Sequence, residues 1–295
     1  RHALGQIVQA HEILRTRFSQ RDGRPLQLID SPPPPPPPSR TLAVVDLQAL
    51  PEAERPLAAR RQLEKETQHL FNLEQGPLFR ATLWRLGPGE HFLLLNFHHI
   101  IIDGWSIEVA LRELALYYKA WVTHTPPALA PLPIQYADYA AWQLQQADSA
   151  AQRELVGWWK QKLQGAAPLL QLPTDHRRPA VQSFRGATVA FAIDAPLTAA
   201  LRELAARNGM TLSMVLLAAY AALLHRYTRS EDLLIGIPSA SRHRVELEGV
   251  LGFFINTLPL RIDLSGGPSF AELLGRVRAT AIEAYERDAA PFEQI

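Results

Sequence analysis

A chain of 295 residues, 47% hydrophobic and 20% charged, has length for two medium domains or one large one and is neither natively unfolded nor a coiled coil. Thirty basic residues against 29 acidic ones leave a net charge of +1, which provides no global field for a nucleic-acid backbone or an anionic membrane. The absence of cysteine excludes disulfide frameworks, thiol nucleophiles and thiolate metal sites, and is compatible with a reducing, cytoplasmic setting.

Leu4, Ile7, Val8, His11 and Leu14 recur at helical spacing, so a helix is expected up to Thr16, followed by a turn at Arg21–Pro25. Leu26–Ile29 and Leu42–Val45 read as strands on either side of seven consecutive prolines, Pro32–Pro38, a stiff polyproline II spacer. Glu52–Leu70 is a charged amphipathic helix, and Phe79–Leu86 and Phe92–His98 form a hairpin around Gly87–Glu90. The apolar run at His91–Ile102 contains Asn96, His98 and His99 and is too short to span a membrane.

From Ser106 to His124, Ile107, Ala110, Leu111, Leu114, Tyr118 and Trp121 fall on one helical face, with Ser106 able to cap it. Tyr136–Leu163 is again helical, and Pro168–Pro179 is an irregular crossover that places a domain boundary at 167/168. The second half predicts a strand at Thr188–Ile193 and helices at Leu197–Asn208 and Thr211–Thr228, the latter apolar enough to be buried on most sides. Strands at Leu233–Ile237 and Thr257–Leu264 and a helix at Phe270–Arg287 complete an α/β chain, α+β in two layers.

The most informative stretch is His98-His99-Ile100-Ile101-Ile102-Asp103-Gly104-Trp105-Ser106, a strand running through a turn into a helix. Alternation along a strand would send His98 and His99 to opposite faces, while the turn at Asp103 and Gly104 offers free backbone amides and the positive end of a helix. A zinc site is disfavoured because adjacent strand residues diverge and no third histidine is near. Serine hydrolysis is disfavoured because no Gly-x-Ser-x-Gly occurs. These residues by themselves fit either a hydrogen-bonded histidine pair or a base beside an oxyanion site.

His98–Ser106 resembles the HHxxxDG motif of nonribosomal peptide synthetase condensation domains, relatives of chloramphenicol acetyltransferase. His11–Phe18 is similar to the family's RHExLRTxF motif, Tyr136–Trp142 to its YxDYAxW, and Gly252–Arg261 to its GxFxNTxxxR. Leu172–Asp175, Ser183–Gly186 and Pro291–Glu293 resemble its crossover and PFE segments. The matches run in order across nearly the whole chain. Departures are Ala10 for the first arginine of the RHE motif, Ile102 for the usual serine or alanine, and Glu286-Arg287-Asp288 before the PFE segment.

The resemblance implies two acetyltransferase-like subdomains in a V, residues 1–167 and 168–295, with His99 at the floor of a tunnel between them and the chain truncated at both ends. It implies amide formation between a donor acyl or peptidyl thioester and an acceptor aminoacyl thioester, each delivered on the phosphopantetheine of a carrier protein. Upstream and downstream peptidyl carriers and an adjacent adenylation domain are the expected partners; no cofactor bound by the domain, no metal, no nucleic acid and no membrane are expected.

The resemblance makes His99 the acting side chain, as base or by orienting the amine, Gly104 an oxyanion donor, and His98 a neighbour held by local hydrogen bonds. Arg15 is expected to pair with Asp103, and Trp105, Ser106, Asn256 and Thr257 to line the tunnel or the junction. Tyr136, Tyr139 and Trp142 read as a core stripe. Alternatives are a free-standing HHxxxDG acyltransferase using coenzyme A thioesters, a noncatalytic carrier-docking scaffold, and an epimerisation domain, against which the segment Phe254–Arg261 argues.

Overall fold

A computed structural model describes residues 1–32 and 42–295, so the expected polyproline spacer lies, from residue 33 on, outside the described residues. The chain forms two compact units, Arg1–Ala147 with Arg242–Ile255, and Asp148–Ser241 with Asn256–Ile295.

In the first unit, α1 (His2–Ala10) stops at His11, whose backbone is extended; a 3-10 turn at Glu12–Arg15 follows. β1 (Thr16–Arg21) and β2 (Arg24–Ile29) then pair as an antiparallel hairpin. The single helix expected up to Thr16 is therefore broken, because the His11 ring is fully buried and the chain must turn to place it. β3 (Leu42–Asp46) lies parallel to β4 (Phe79–Arg85), which pairs antiparallel with β5 (His91–Phe97). α2 (Arg55–Thr67) closes a small core of Leu47, Ala59, Trp84 and Leu86. The Trp84 indole N–H donates to Gln62 Oε1 at 2.8 Å, so its polar end is not lost on burial.

α3 (Gly104–Thr123) packs against α1. Its buried face holds Val109, Ala110 and Glu113, whereas Ile107, Leu111, Tyr118 and Trp121 are exposed. Of the one-sided stripe expected here, Ala110 is buried and Leu114 packs on the core, while the other four residues face outward. Its start is capped by the Asp103 carboxylate and not by Ser106. The larger core of this unit joins Leu4, Ile7 and Val8 of α1 to Ile13, Ile101, Ile102, Val109 and Leu251. α4 (Tyr136–Gln146) begins with a capping box between Gln135 and Asp138 and ends before the second unit starts.

The second unit starts with α5 (Ala150–Leu163), capped by Ser149. The boundary lies 20 residues ahead of the expected 167/168, because α5 buries Trp159 against the second core and bonds its indole N–H to Arg287 O at 3.1 Å. α6 (Ala195–Arg207) and α7 (Leu212–Thr228) carry side-chain caps from Asp194 and Thr211. β6 (Asp232–Ser239) pairs antiparallel with β7 (Asn256–Asp263), and α8 (Phe270–Tyr285) packs on β7 and α7.

α7 is less enclosed than its composition predicts: Met214, Val215, Ala218, Ala221 and Leu224 form one buried stripe, while Leu216, Tyr220, Leu223 and Tyr227 are exposed. The strand expected at Thr188–Ile193 does not form; Val189 and Phe191 are 85% and 86% exposed, and no described strand pairs with the segment. A strand needs a ladder partner, which its own pattern cannot supply. No single helix among the described residues is long and apolar enough to cross a membrane.

Candidate active site

β5 ends at Phe97, so neither histidine lies on a strand. His98 caps a 3-10 turn, His99–Ile101, and its Nδ1 accepts the Ile100 N–H at 3.0 Å. With that bond made, a neutral His98 carries its proton on Nε2. Its ring stands edge-on to Phe71, and its backbone N–H donates to Leu78 O at 2.9 Å. His99, one residue on, is exposed, and among the described residues nothing in this unit hydrogen-bonds its imidazole. The ring meets Phe253 in a T-shaped contact, centroids 5.3 Å apart and planes at 80°. What separates the two histidines is therefore the 3-10 turn and not strand alternation. The turn is held because Ile101 and Ile102 drop into the core.

Asp103 follows them inward and is 1% exposed. Its Oδ1 accepts the Ser106 N–H at 2.8 Å, capping α3, and its Oδ2 accepts the Phe254 N–H at 3.0 Å. Its ion-pair partner is Arg242, Nη2 to Oδ1 3.3 Å, with both side chains nearly inaccessible to solvent. Arg242 also donates to Ser106 Oγ at 2.7 Å and to the carbonyls of Leu247 and Val250, and its guanidinium lies 3.9 Å from the Phe254 ring centroid. Burial pulls the Arg242 guanidinium below its usual pKa, and the Asp103 carboxylate offsets only part of that lowering.

The expected Arg15 pairing is thus overturned. Arg15 closes the 3-10 turn beside the β1–β2 hairpin, and its guanidinium is used there, on Asp30 O at 2.5 Å and Glu12 Oε1 at 3.3 Å. The Arg242 pairing links residues 139 apart in sequence, and Arg242 belongs to no motif recognised in the chain.

Residues 251–254 are clasped along their backbone. Leu251 N–H approaches His11 Nδ1 at 3.4 Å, and Ser106 Oγ both accepts the Gly252 N–H at 3.1 Å and donates to Gly252 O at 2.9 Å. The Tyr136 hydroxyl donates to Phe253 O at 2.9 Å. A Cβ on Gly252 would sit 2.1 Å from the Tyr136 ring, so only glycine fits there. Burial, with smaller contributions from Tyr139 and Asp103, pushes the Tyr136 phenol up to about 12. Behind this clasp, His11 Nε2 and Glu113 Oε2 meet at 2.8 Å in a buried pair.

The family model for the condensation domain matches residues 1–295. The chain belongs to the condensation-domain family. It is 47% identical over 293 residues to a linear gramicidin synthase of Brevibacillus parabrevis, a match over 99% of this chain and 6% of that protein. It is 45% identical to phosphinothricin tripeptide synthetase PhsC of Streptomyces viridochromogenes, over 100% of this chain and 27% of that protein. This condensation domain thus spans a small part of the length of those relatives. Among solved structures, the X-domain from teicoplanin biosynthesis matches with a TM-score of 0.85 and 34% identity, over 100% of this chain and 64% of that one. The first condensation domain of the calcium-dependent antibiotic synthetase shares the fold at a TM-score of 0.80 and 24% identity, over 99% of this chain and 66% of that one.

Placed in this condensation domain, the remaining candidates divide. Gly104 opens α3, is exposed, and has nothing within 4 Å of where a Cβ would stand, so packing does not require glycine there. Trp105 is half exposed and donates its indole N–H to Glu248 O at 2.9 Å; Ser106 is fully buried in the Arg242 network. Asn256 and Thr257 belong to the second unit. The Asn256 amide donates to Asp288 O and Ala290 O at 2.7 and 2.8 Å, and its oxygen accepts from Thr257 and Phe292 N–H groups, which uses its hydrogen-bonding capacity within the fold. Thr257 sits opposite Pro238 at the start of β7. The sequence does not single out Arg242, His11 or Phe253 as site residues, although the latter two lie inside recognised motifs. Among the described residues no group of three or more His, Cys, Asp or Glu gathers to hold a metal ion.

Proposed function

We propose that this chain forms an amide bond between a donor acyl or peptidyl thioester and an acceptor aminoacyl thioester, both carried on phosphopantetheine arms of carrier proteins. The observation that carries the reading is the asymmetry within HHxxxDG: His98 and Asp103 are consumed by the fold, whereas His99 and the Gly104 backbone are exposed. Family membership and the synthetase relatives support the same chemistry.

The acceptor α-amine attacks the donor thioester carbon, its C–N bond forms, and the oxyanion collapses with cleavage of the C–S bond. The amine proton passes to His99 or to the departing thiolate. A free α-amine titrates at about 7.7–8.0 and is partly neutral at pH 7, so base catalysis worth about 10²–10⁴-fold and simple orientation of the amine are both open to His99. In this reading the Gly104 N–H, at the positive end of α3, donates to the oxyanion, a bond worth about 3–4 kcal/mol. The missing side chain at Gly104 leaves room for the reacting group. Holding both thioesters on arms makes the step effectively unimolecular. The partners in this reading are an upstream and a downstream carrier and an adjacent adenylation domain. A four-domain nonribosomal peptide synthetase sharing this fold at a TM-score of 0.84 and 23% identity has been solved bound to AMP and glycine.

A second reading, a docking platform for another protein, is favoured by one neighbour, the X-domain solved in complex with OxyB, at 32% identity and a TM-score of 0.84. The experiment that separates these readings offers the full-length protein the same donor acyl group on a carrier and on coenzyme A, with an aminoacyl carrier as acceptor. Intact-mass analysis should show amide product on the acceptor carrier from the carrier-borne donor. Product from the coenzyme A donor alone would favour a free-standing acyltransferase, and carrier binding without product would favour the platform.

A further inference from the structure

We infer that Phe253 is the positioning residue for the His99 imidazole, a role that rests on the reading of His99 as the acting group. A histidine that works on a proton or an amine needs its ring held in one orientation, and the usual device is a hydrogen bond from a third group to the far ring nitrogen. His99 has no such bond among the described residues of its unit, while its neighbour His98 does. What meets the His99 ring is the Phe253 phenyl, 5.3 Å away at 80°, the edge-to-face arrangement that aromatic quadrupoles favour. An aromatic orienter leaves both imidazole nitrogens free for substrate, which a hydrogen-bonding orienter does not.

Phe253 is itself 37% exposed, so its side chain is not fixed by burial; its backbone is. The Tyr136 hydroxyl grips its carbonyl, Ser106 grips both polar groups of Gly252, and Asp103 grips the Phe254 N–H. The close approach of Gly252 to Tyr136, which a Cβ would forbid, sets the depth at which the phenyl is presented. The buried groups around HHxxxDG thus act on His99 through one exposed ring. Ring retention, and not bulk alone, is the property this role demands.

The test compares the full-length wild-type protein with Phe253→Leu, Phe253→Tyr and His99→Ala, using carriers loaded from a mixed set of L-aminoacyl-coenzyme A thioesters and reading dipeptidyl carrier by intact mass. Phe253→Leu should lower kcat about two- to tenfold at unchanged KM for the carriers, and Phe253→Tyr should keep the wild-type kcat. Full kcat in Phe253→Leu, or equal losses in the leucine and tyrosine variants, with His99→Ala inactive, would overturn the positioning role and leave the function of His99 standing. Wild-type turnover in His99→Ala would overturn both. Independently of turnover and carriers, histidine-selective NMR should show the His99 Cε1–H signal displaced in Phe253→Leu by loss of the ring current. An unmoved signal in a folded variant contradicts the inference.

Discussion

Asp103 and His99 lie four residues apart in one motif and have opposite surroundings. Asp103 is 1% exposed and spends its carboxylate on Arg242, Ser106 and Phe254, whereas His99 is exposed and meets the Phe253 ring. A buried carboxylate must be paired to stay charged, and pairing takes it out of the chemistry. An exposed imidazole costs the fold nothing and remains available. The motif therefore splits between a part that builds the turn and a part left exposed on it.

That division is broken most severely at Arg242. Arg242→Ala leaves the Asp103 carboxylate buried without its cation, and thermal or urea unfolding should show a loss of about 3–5 kcal/mol. Asp103→Asn should recover part of that loss in a double-mutant cycle, since the two side chains share one network. The same cycle between Asp103 and Arg15 should be additive, because the Arg15 guanidinium is committed to Asp30 and Glu12. Coupling to Arg15 in place of Arg242 would reverse the assignment.

The next effect is alkaline. Tyr136 has its phenol pushed up to about 12 by burial, so the unfolded chain loses that proton near pH 10 while the folded chain keeps it. The native state then binds more protons, and stability falls as pH rises from about 10 to about 12. The contribution is about 2–3 kcal/mol. Tyr136→Phe should flatten this part of the unfolding-versus-pH curve; an unchanged slope would show that the phenol is not the titrating group.

Gly252→Ala must push a Cβ into the Tyr136 ring, an overpacking cost of about 1–3 kcal/mol. Gly104→Ala meets open space and should change stability by no more than about 0.5 kcal/mol. Both are measured by the same unfolding curves, and a larger loss at Gly104 than at Gly252 would contradict the contrast between fold and site.

Much of this arrangement could be read along the chain. The strands around Gly87–Glu90, the helix after the histidines and the motif segments all depend on local pattern, and the chain forms them close to where that pattern puts them. The Asp103 cap was missed in favour of Ser106 because both are good capping residues and only the three-dimensional path decides between them. Arg242 was missed because its partner is 139 residues away and periodicity carries no such distance. α7 is less buried than expected for a related reason: composition says how apolar a helix is, while burial depends on which neighbours pack against it. At Thr188–Ile193 an alternating pattern met no ladder partner among the described strands, and the backbone stayed irregular.

The role proposed for His99 is to act in amide formation and not to hold the fold. It is tested most directly by the single-turnover rate at which dipeptidyl carrier appears with wild-type and His99→Ala full-length protein, each shown to unfold at the same temperature. The rate should fall by about 10²–10⁴-fold with unchanged stability. A His99→Ala protein that forms the amide at the wild-type rate, or one that loses activity only because it has unfolded, would contradict it.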